Sequence, residues 1–311
     1  MVLTNMETGL VSGHFKQHVE RLLKLHRGTP DCVVWFLSGC LPPEALLHLR
    51  QFSLFGMICR LKEGDNLLAN LARNVFASSK PSAKSWFSQI QSLCLKYSLP
   101  HPITFLDKTP TKTSFKSRIK AAVTDFWEHK LRGEAEHLDS LQYFHPQFMS
   151  LSSSHPIFKT CGTSPYQVRK SEIQGQFLSG RARVEALTKH WDPKTKDGLC
   201  QLCRDSKPAL GTLEHLLLSG GCPALAEARL QMISFFQAYM VPRKYLLSLF
   251  QECWGKDDIT TMQLLLDCST IPIIIREAQK SKNPVLQDIF YMTRTYNYKI
   301  YITRKRLLSL L

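Results

Sequence analysis

No uncharged apolar run in this chain approaches the ~18 residues that a membrane-spanning helix requires. The first residues, MVLTNMETGLVSGHFKQHVERLL, lack both the continuous apolar stretch and the small-residue cleavage site of a secretory signal. There is no Walker-type phosphate loop, no G-x-G-x-x-G turn and no G-x-S-x-G nucleophile elbow. Internal repeats and low-complexity tracts are also missing. These absences argue against a membrane span, a nucleotide-fold enzyme and a serine hydrolase, and the expected setting is intracellular.

Acidic residues are in short supply. Forty Lys and Arg stand against 25 Asp and Glu in 311 residues, a formal charge of +15. An excess of that size points to an anionic partner, with nucleic acid ahead of a membrane surface or a small-molecule substrate. Hydrophobic residues make up 44%, so the chain can bury a core. Ten cysteines in a reducing compartment are expected to be free or metal-bound rather than paired.

Helical spacing recurs almost throughout, and the expected fold class is all-α: a helical array carrying one small structural zinc knuckle. Thr29-Pro30 reads as an N-cap followed by proline at the first helical position. Pro42-Pro43 opens a second helix, and Ser82 is the expected cap of a helix bearing Trp86, Ile90, Leu93, Cys94 and Tyr97. Pro165 is expected to open a helix running to about Leu187. The segment 285–303 is rich in aromatic and β-branched residues, which weakens the helix assignment there. The expected organisation is an N-terminal helical region (1–106), a polar linker (107–113), a basic helical region (114–190), the knuckle (191–230) and a C-terminal helical region (231–311).

The pattern that carries chemistry is GLCQLCRDSKPALGTLEHLLLSGGCP. Cys200 and Cys203 form a C-x2-C pair, His215 follows after eleven residues and Cys222 after six more. A C-x2-C turn presents two thiolates to one ion, and Gly220-Gly221 lets the chain fold back to deliver the fourth ligand. Cys200, Cys203, His215 and Cys222 are therefore assigned to one Zn2+. A closed Cys3His set leaves no open position for water or substrate and is structural. The alternative, a redox C-x-x-C, calls for a βαβ setting that this helical context does not supply. His190 is a spare ligand candidate. Cys32, Cys40, Cys59, Cys94, Cys161, Cys253 and Cys268 are read as small core residues.

These residues carry a resemblance. QFLSGRARVEALTKHW, CQLC, LEHLLLSGGCP and AEAR, from Gln176 to Arg229, resemble the C-terminal region of non-LTR (LINE-type) retrotransposon reverse transcriptases. The positions that carry it are Leu178, Gly180, Arg181, the four ligands, Glu214, Leu216, Pro223 and Arg229. A softer match runs through Arg27-Gly28-Thr29-Pro30, Leu41-Pro42, Glu44-Ala45, Leu49-Arg50 and Leu54-Phe55-Gly56, like the segment after the thumb of those polymerases. The family's pattern is shorter than this chain's six residues between the histidine and the last cysteine. The resemblance implies gripping of template RNA or target DNA during target-primed reverse transcription. The polymerase palm is lacking, since it needs an acidic pair on a hairpin to hold two metal ions. The sole Asp-Asp here, Asp257-Asp258 in WGKDDIT, reads as a helix cap, and no carboxylate cluster suggests an endonuclease. The expectation is a protein that is not an enzyme.

Three basic groups are candidates for binding RNA or single-stranded DNA. Lys112, Lys116 and Lys120 repeat at i, i+4 with Arg118 nearby, in a stretch from 108 to 132 holding seven basic and two acidic residues. Such a face tracks phosphates or is simply solvated. Arg169, Lys170, Arg181, Arg183, Lys189, Lys194 and Lys196 precede the first ligand, with Trp191 available to stack on an unpaired base or to pack inside, and Arg229 follows the last ligand. Arg304, Lys305 and Arg306, beside Tyr298 and Tyr301, read as a further contact or a short nuclear-import signal, which favours the nucleus over the cytoplasm. Two other readings stay open: a structural or protein-interaction module in which zinc only holds the fold, and an inactive element relic.

Overall fold

Proline has no N–H to leave unpaired at a helix start, and it opens many of the helices here. The computed structural model describes residues 5–61, 67, 70, 71, 74, 75, 85–189, 195–204, 206, 208–280 and 284–310. The fold is all-α: helix accounts for 71%, with no strand among the described residues, and one antiparallel bridge joins Leu199 to Leu210. The first helices are α1 (Asn5–Leu22), α2 (Asp31–Ser38), α3 (Pro43–Cys59), α4 (Trp86–Lys96), α5 (Pro102–Asp107) and α6 (Lys112–Glu136). Then come α7 (Pro156–Lys159), α8 (Pro165–Leu178), α9 (Glu185–Thr188) and α10 (Leu213–Leu217). The last are α11 (Ala226–Met240), α12 (Lys244–Cys253), α13 (Asp258–Asp267), α14 (Pro272–Lys280) and α15 (Val285–Leu308).

Internal contacts divide the chain into two units, residues 1–18 with 40–133 and residues 19–39 with 134–311. This differs from the organisation expected from sequence. The segment 107–113 lies inside the first unit, where the Thr109 hydroxyl donates to the Cys59 carbonyl at 3.1 Å. The knuckle and the C-terminal helices belong to one unit together with 134–190.

In the first unit, α3 packs on α4 and α5. Its core is aromatic, with Phe55, Phe105 and Phe115 meeting edge-on or tilted at centroid distances of 5.3–6.4 Å. Buried Tyr97 accepts from Trp127 Nε1 at 3.2 Å, and its hydroxyl lies 2.6 Å from His48 Nδ1. Gly56 is required where α3 meets α6, because a Cβ there would lie 2.4 Å from the Phe115 ring.

In the second unit α15 is the central helix, packed by α8, α11 and α13. The doubted segment 285–303 is one unbroken helix to Leu308. Its Ile289, Phe290, Tyr296 and Ile300 are all but fully buried, and burial of such side chains outweighs their modest helix propensity. Backbone carbonyls and hydroxyls receive donors of the polar side chains it buries, although Arg294 Nε and Asn297 Oδ1 have no partner among the described residues. Arg294 donates to the carbonyls of Ile157 and Thr160 and to the Thr160 and Ser171 hydroxyls. Asn297 donates to Leu265 O at 2.8 Å. His155 is buried against fully buried Asp267 with Nε2 and Oδ2 3.2 Å apart. The stretch Asp258–Lys280 is apolar enough to cross a membrane by composition. It is 61% buried within the protein and is split by a 3-10 turn at Cys268–Thr270.

Several local expectations are corrected. Thr29 does not cap α2: its hydroxyl donates to His26 O, and Pro30 holds the cap position. Ser82 lies outside the described residues, and Ser85 caps α4 by accepting from Ser88 N at 3.1 Å. The helix from Pro165 ends at Leu178 rather than near Leu187. Gly180 turns it with φ +64° against Ser140, whose carbonyl oxygen would sit 2.3 Å from a Cβ, so only glycine fits. Asp257 does cap α13, accepting from Thr260 N at 2.6 Å. Cys40 is exposed and Cys161 half-buried, while Cys32, Cys59, Cys94, Cys253 and Cys268 are core residues.

Candidate metal centre

Cys200, Cys203, His215 and Cys222 converge in the second unit. Their nearest donor atoms all lie within 4.8 Å of one another, and the set can hold a metal ion. Cys200 Sγ lies 3.8 Å from Cys222 Sγ, and Cys203 Sγ lies 3.3 Å from His215 Nε2. The three cysteines are buried and the histidine is half-buried.

Local sequence builds this arrangement. Cys200 and Cys203 sit on a tight turn next to the Leu199–Leu210 bridge, with Cys200 N donating to Ala209 O at 2.8 Å. Thr212 caps α10 by accepting from His215 N at 3.2 Å, which holds the histidine on the first turn of that helix. The chain then folds back so that Cys222 N donates to His215 O at 2.6 Å. Gly221 makes that return possible: a Cβ there would lie 2.1 Å from the His215 carbonyl oxygen.

Residues outside the Cys200–Cys222 segment brace the cluster. Arg229, on α11, donates from Nη1 to Leu216 O at 3.0 Å and from Nη2 to Cys222 O at 2.6 Å. The Tyr296 hydroxyl donates to Leu217 O. Tyr143 and Gln142 donate to Glu214 Oε1 at 2.6 and 2.7 Å. Burial alone would raise the Glu214 carboxyl, but these bonds hold it below its ordinary value. Glu185, almost fully buried, accepts from Gln201 N at 3.2 Å and from Arg304 at 2.8 Å. No local spacing signals these contacts, because most of the partners are more than seventy residues away.

Electrostatics favour a cation in the cluster. Hydrogen bonding from Cys222 brings the Cys200 thiol down to about 5, while the same bond and burial push Cys222 up. Burial and the neighbouring Cys200 also raise Cys203. Three thiolates repel one another in so small a volume, and a metal cation is what would offset that repulsion.

The basic candidates divide. Lys170 is 2% exposed, donating to Thr295 Oγ1 at 3.0 Å with its ammonium 4.3 Å from the Tyr166 ring centre. Arg229 is 2% exposed and serves as the brace described above. Neither presents its charge to a ligand, which corrects their assignment as nucleic-acid contacts. Arg169, Arg181, Arg183, Lys189 and Lys196 are exposed. Arg169 is paired with Glu172 at 2.7 Å, whereas Arg181, Arg183 and Lys189 have no acidic partner among the described residues. Trp191, His190 and Lys194 lie outside the described residues. In the first unit Lys112, Lys116, Arg118 and Lys120 are exposed on α6.

Beside the cluster is a cleft of about 180 Å3. Leu216 of the ligand-bearing helix forms part of its wall, and Arg169, Arg183 and Arg304 line it together with Tyr301. Its one histidine, His26, is depressed by burial and by Arg183 and Arg181, so it adds hydrogen-bonding capacity rather than charge at neutral pH. No carboxylate among the described residues lines the cleft. Glu172 and Glu185 neutralise Arg169 and Arg304 from outside it, leaving the surplus on Arg183.

No protein-family model matches the chain, and no curated protein and no solved structure matches it.

Proposed function

We propose that the four residues hold one zinc ion and that the protein binds RNA or single-stranded DNA through basic surface that the zinc organises, without polymerase chemistry of its own. Tetrahedral zinc at ~2.3 Å from sulfur and ~2.0 Å from nitrogen sets ligand separations of about 3.8 Å for S–S and about 3.5 Å for S–N. The 3.8 and 3.3 Å separations here agree with that set. Four protein donors close the tetrahedron, so the ion is structural and its binding energy, on the order of 10 kcal/mol, is folding energy.

The observation that carries the nucleic-acid reading is the cleft beside the cluster. Its wall includes a residue adjacent to the histidine ligand, its lining among the described residues holds three arginines and no carboxylate, and Arg181 and Lys189 are exposed nearby in the sequence. Phosphates suit guanidinium groups in this arrangement. The resemblance to the C-terminal region of non-LTR reverse transcriptases and the net charge of +15 agree with it. Native mass spectrometry with and without chelator, alongside a salt-titrated binding assay on single-stranded RNA and DNA, tests the proposal. One zinc per chain is expected, with salt-sensitive binding that disappears on chelation and in Cys203→Ser. Affinity unchanged by salt, chelator and substitution refutes it.

A second reading, a protein-interaction module in which zinc only holds the fold, is favoured by exposed apolar side chains. Leu230, Val241, Leu247 and Ile259 are 44–73% exposed. One zinc per chain with no nucleic-acid binding selects this reading.

A further inference from the structure

Glu185 opens the short helix α9 and is 1% exposed. A carboxylate buried that deeply is costly unless donors hold it. Its Oε1 accepts from two sides at once, from Gln201 N at 3.2 Å and from Arg304 Nη2 at 2.8 Å. Gln201 lies between Cys200 and Cys203, so the first bond holds the turn that presents two of the metal ligands. The other carboxylate oxygen lies against Gly211, where a Cβ would come within 2.3 Å of it. Gly211 precedes Thr212, the cap that sets His215 on α10. Glu185 thus meets the metal loop twice, at the cysteine pair and just before the histidine.

Arg304 carries this arrangement outward. Its Nη1 donates to Arg183 O at 3.0 Å, and both arginines line the cleft beside the cluster. One guanidinium therefore joins the metal loop, through Glu185, to the backbone that bears Arg183. Arg169, the other arginine of the cleft, is held differently. It pairs at 2.7 Å with Glu172, three residues further along its own helix. A loop that supplies metal ligands takes its geometry from the ion. With Gln201 fixed by the ion, Glu185 and then Arg304 are fixed in turn. Donors ordered in advance lose less freedom when an anion arrives, and so bind it more tightly.

We propose that Glu185 is the positioning residue through which the metal ion sets the Arg183–Arg304 pair for phosphate, so that metal and single-stranded nucleic acid strengthen each other's binding by this route. The inference rests on the nucleic-acid reading above and assigns the residues that link its two halves. Coupling of this kind is reciprocal and commonly amounts to about fivefold to a hundredfold in affinity.

The test titrates the full chain with zinc against a chromophoric chelator, with and without a saturating uridine homopolymer, at fixed salt. Its readout is the ratio of the two zinc affinities. In the wild type the strand is expected to raise zinc affinity about fivefold or more. Glu185→Gln keeps an acceptor for Gln201 N but removes the charge that holds Arg304. Arg304→Lys leaves a single ammonium that cannot reach both Glu185 and Arg183 O. In both variants the ratio is expected to fall to about 1, with zinc still bound. If Glu185→Gln does not hold zinc, Arg304→Lys decides the question. Arg181→Gln removes an exposed charge outside the route; it is expected to weaken the strand yet keep the wild-type ratio at saturation. A Glu185 that only supported the fold would lower the melting temperature and both affinities and leave the ratio alone. A wild-type ratio in the Glu185 and Arg304 variants therefore overturns this proposal while the nucleic-acid reading stands, and so does a ratio equally lost in Arg181→Gln. A wild-type chain that binds no strand, or whose zinc affinity is indifferent to it, overturns both.

Discussion

Replacing Arg229 separates two roles that the sequence leaves unresolved. Near the last ligand it reads as a phosphate contact, yet in the fold it is buried and donates to Leu216 O and Cys222 O. Those carbonyls lie at the two ends of the segment that returns the chain from His215 to Cys222. Arg229→Met keeps much of the packing volume and deletes both bonds. Hydrogen bonds to a charged donor contribute roughly 1.5–3 kcal/mol each. Arg229 Nε is buried without a partner among the described residues, which offsets part of that gain and favours the low end, about 3 kcal/mol for the pair. For a domain of the second unit's size this lowers the melting temperature by about 6–12 °C. Loosening a ligand's support also costs about tenfold to a hundredfold in metal affinity. The assays are thermal unfolding by circular dichroism and competition for the metal against a chromophoric chelator. Arg229→Lys should recover little, since a single ammonium does not reproduce the fork that reaches two carbonyls. A variant that melts within about 2 °C of the wild type, holds metal equally well and loses only nucleic-acid affinity would refute the bracing role.

Gly221→Ala sets a methyl against the His215 carbonyl and should lower the metal stoichiometry read by native mass spectrometry, whereas Gly220→Ala, with nothing within 4 Å of its Cβ position, should leave it unchanged. His155→Ala removes the partner of fully buried Asp267 and should cost about 3–5 kcal/mol in urea unfolding. Burial would raise the Asp267 carboxyl, but His155 holds it below its ordinary 3.8. Its stabilisation is therefore complete above the unfolded carboxyl range and lost as pH falls through the lower folded value. The stability deficit of Asp267→Asn should accordingly be largest near neutral pH and shrink only once pH has fallen below the ordinary carboxyl value of 3.8. Gly56→Ala drives a methyl into the Phe115 ring and should destabilise the first unit by about 1–3 kcal/mol, read as an earlier transition in thermal unfolding.

Local pattern carried much of this protein. Helical spacing and proline starts are properties of a few consecutive residues, so α3, α8 and the cap at Asp257 could be read directly. The ligand set was legible for the same reason: C-x2-C, a histidine on the first turn of a short helix and a glycine pair place four donors together with little help from the rest of the chain. Where a helix stopped was harder. α8 ends at Leu178 because Gly180 meets Ser140, some forty residues earlier, and α15 persists through its aromatic and β-branched residues because other helices bury them.

The fate of each charge was a tertiary decision. Lys170 and Arg229 look like surface cations in sequence, and each is buried because a hydroxyl, carbonyls or an aromatic ring that the fold brings alongside receive its donors. His155 acquires its partner Asp267 across 112 residues. Lys112, Lys116 and Lys120 were recognisable as one helix face, but α6 packs against α3 there only because Gly56 admits Phe115. Sequence alone settled the helical class, the basic excess and the metal-ligand spacing, since composition and short-range periodicity specify them. Tertiary structure alone decided which cations meet solvent and which hold the fold together, because burial depends on partners that one-dimensional spacing does not encode.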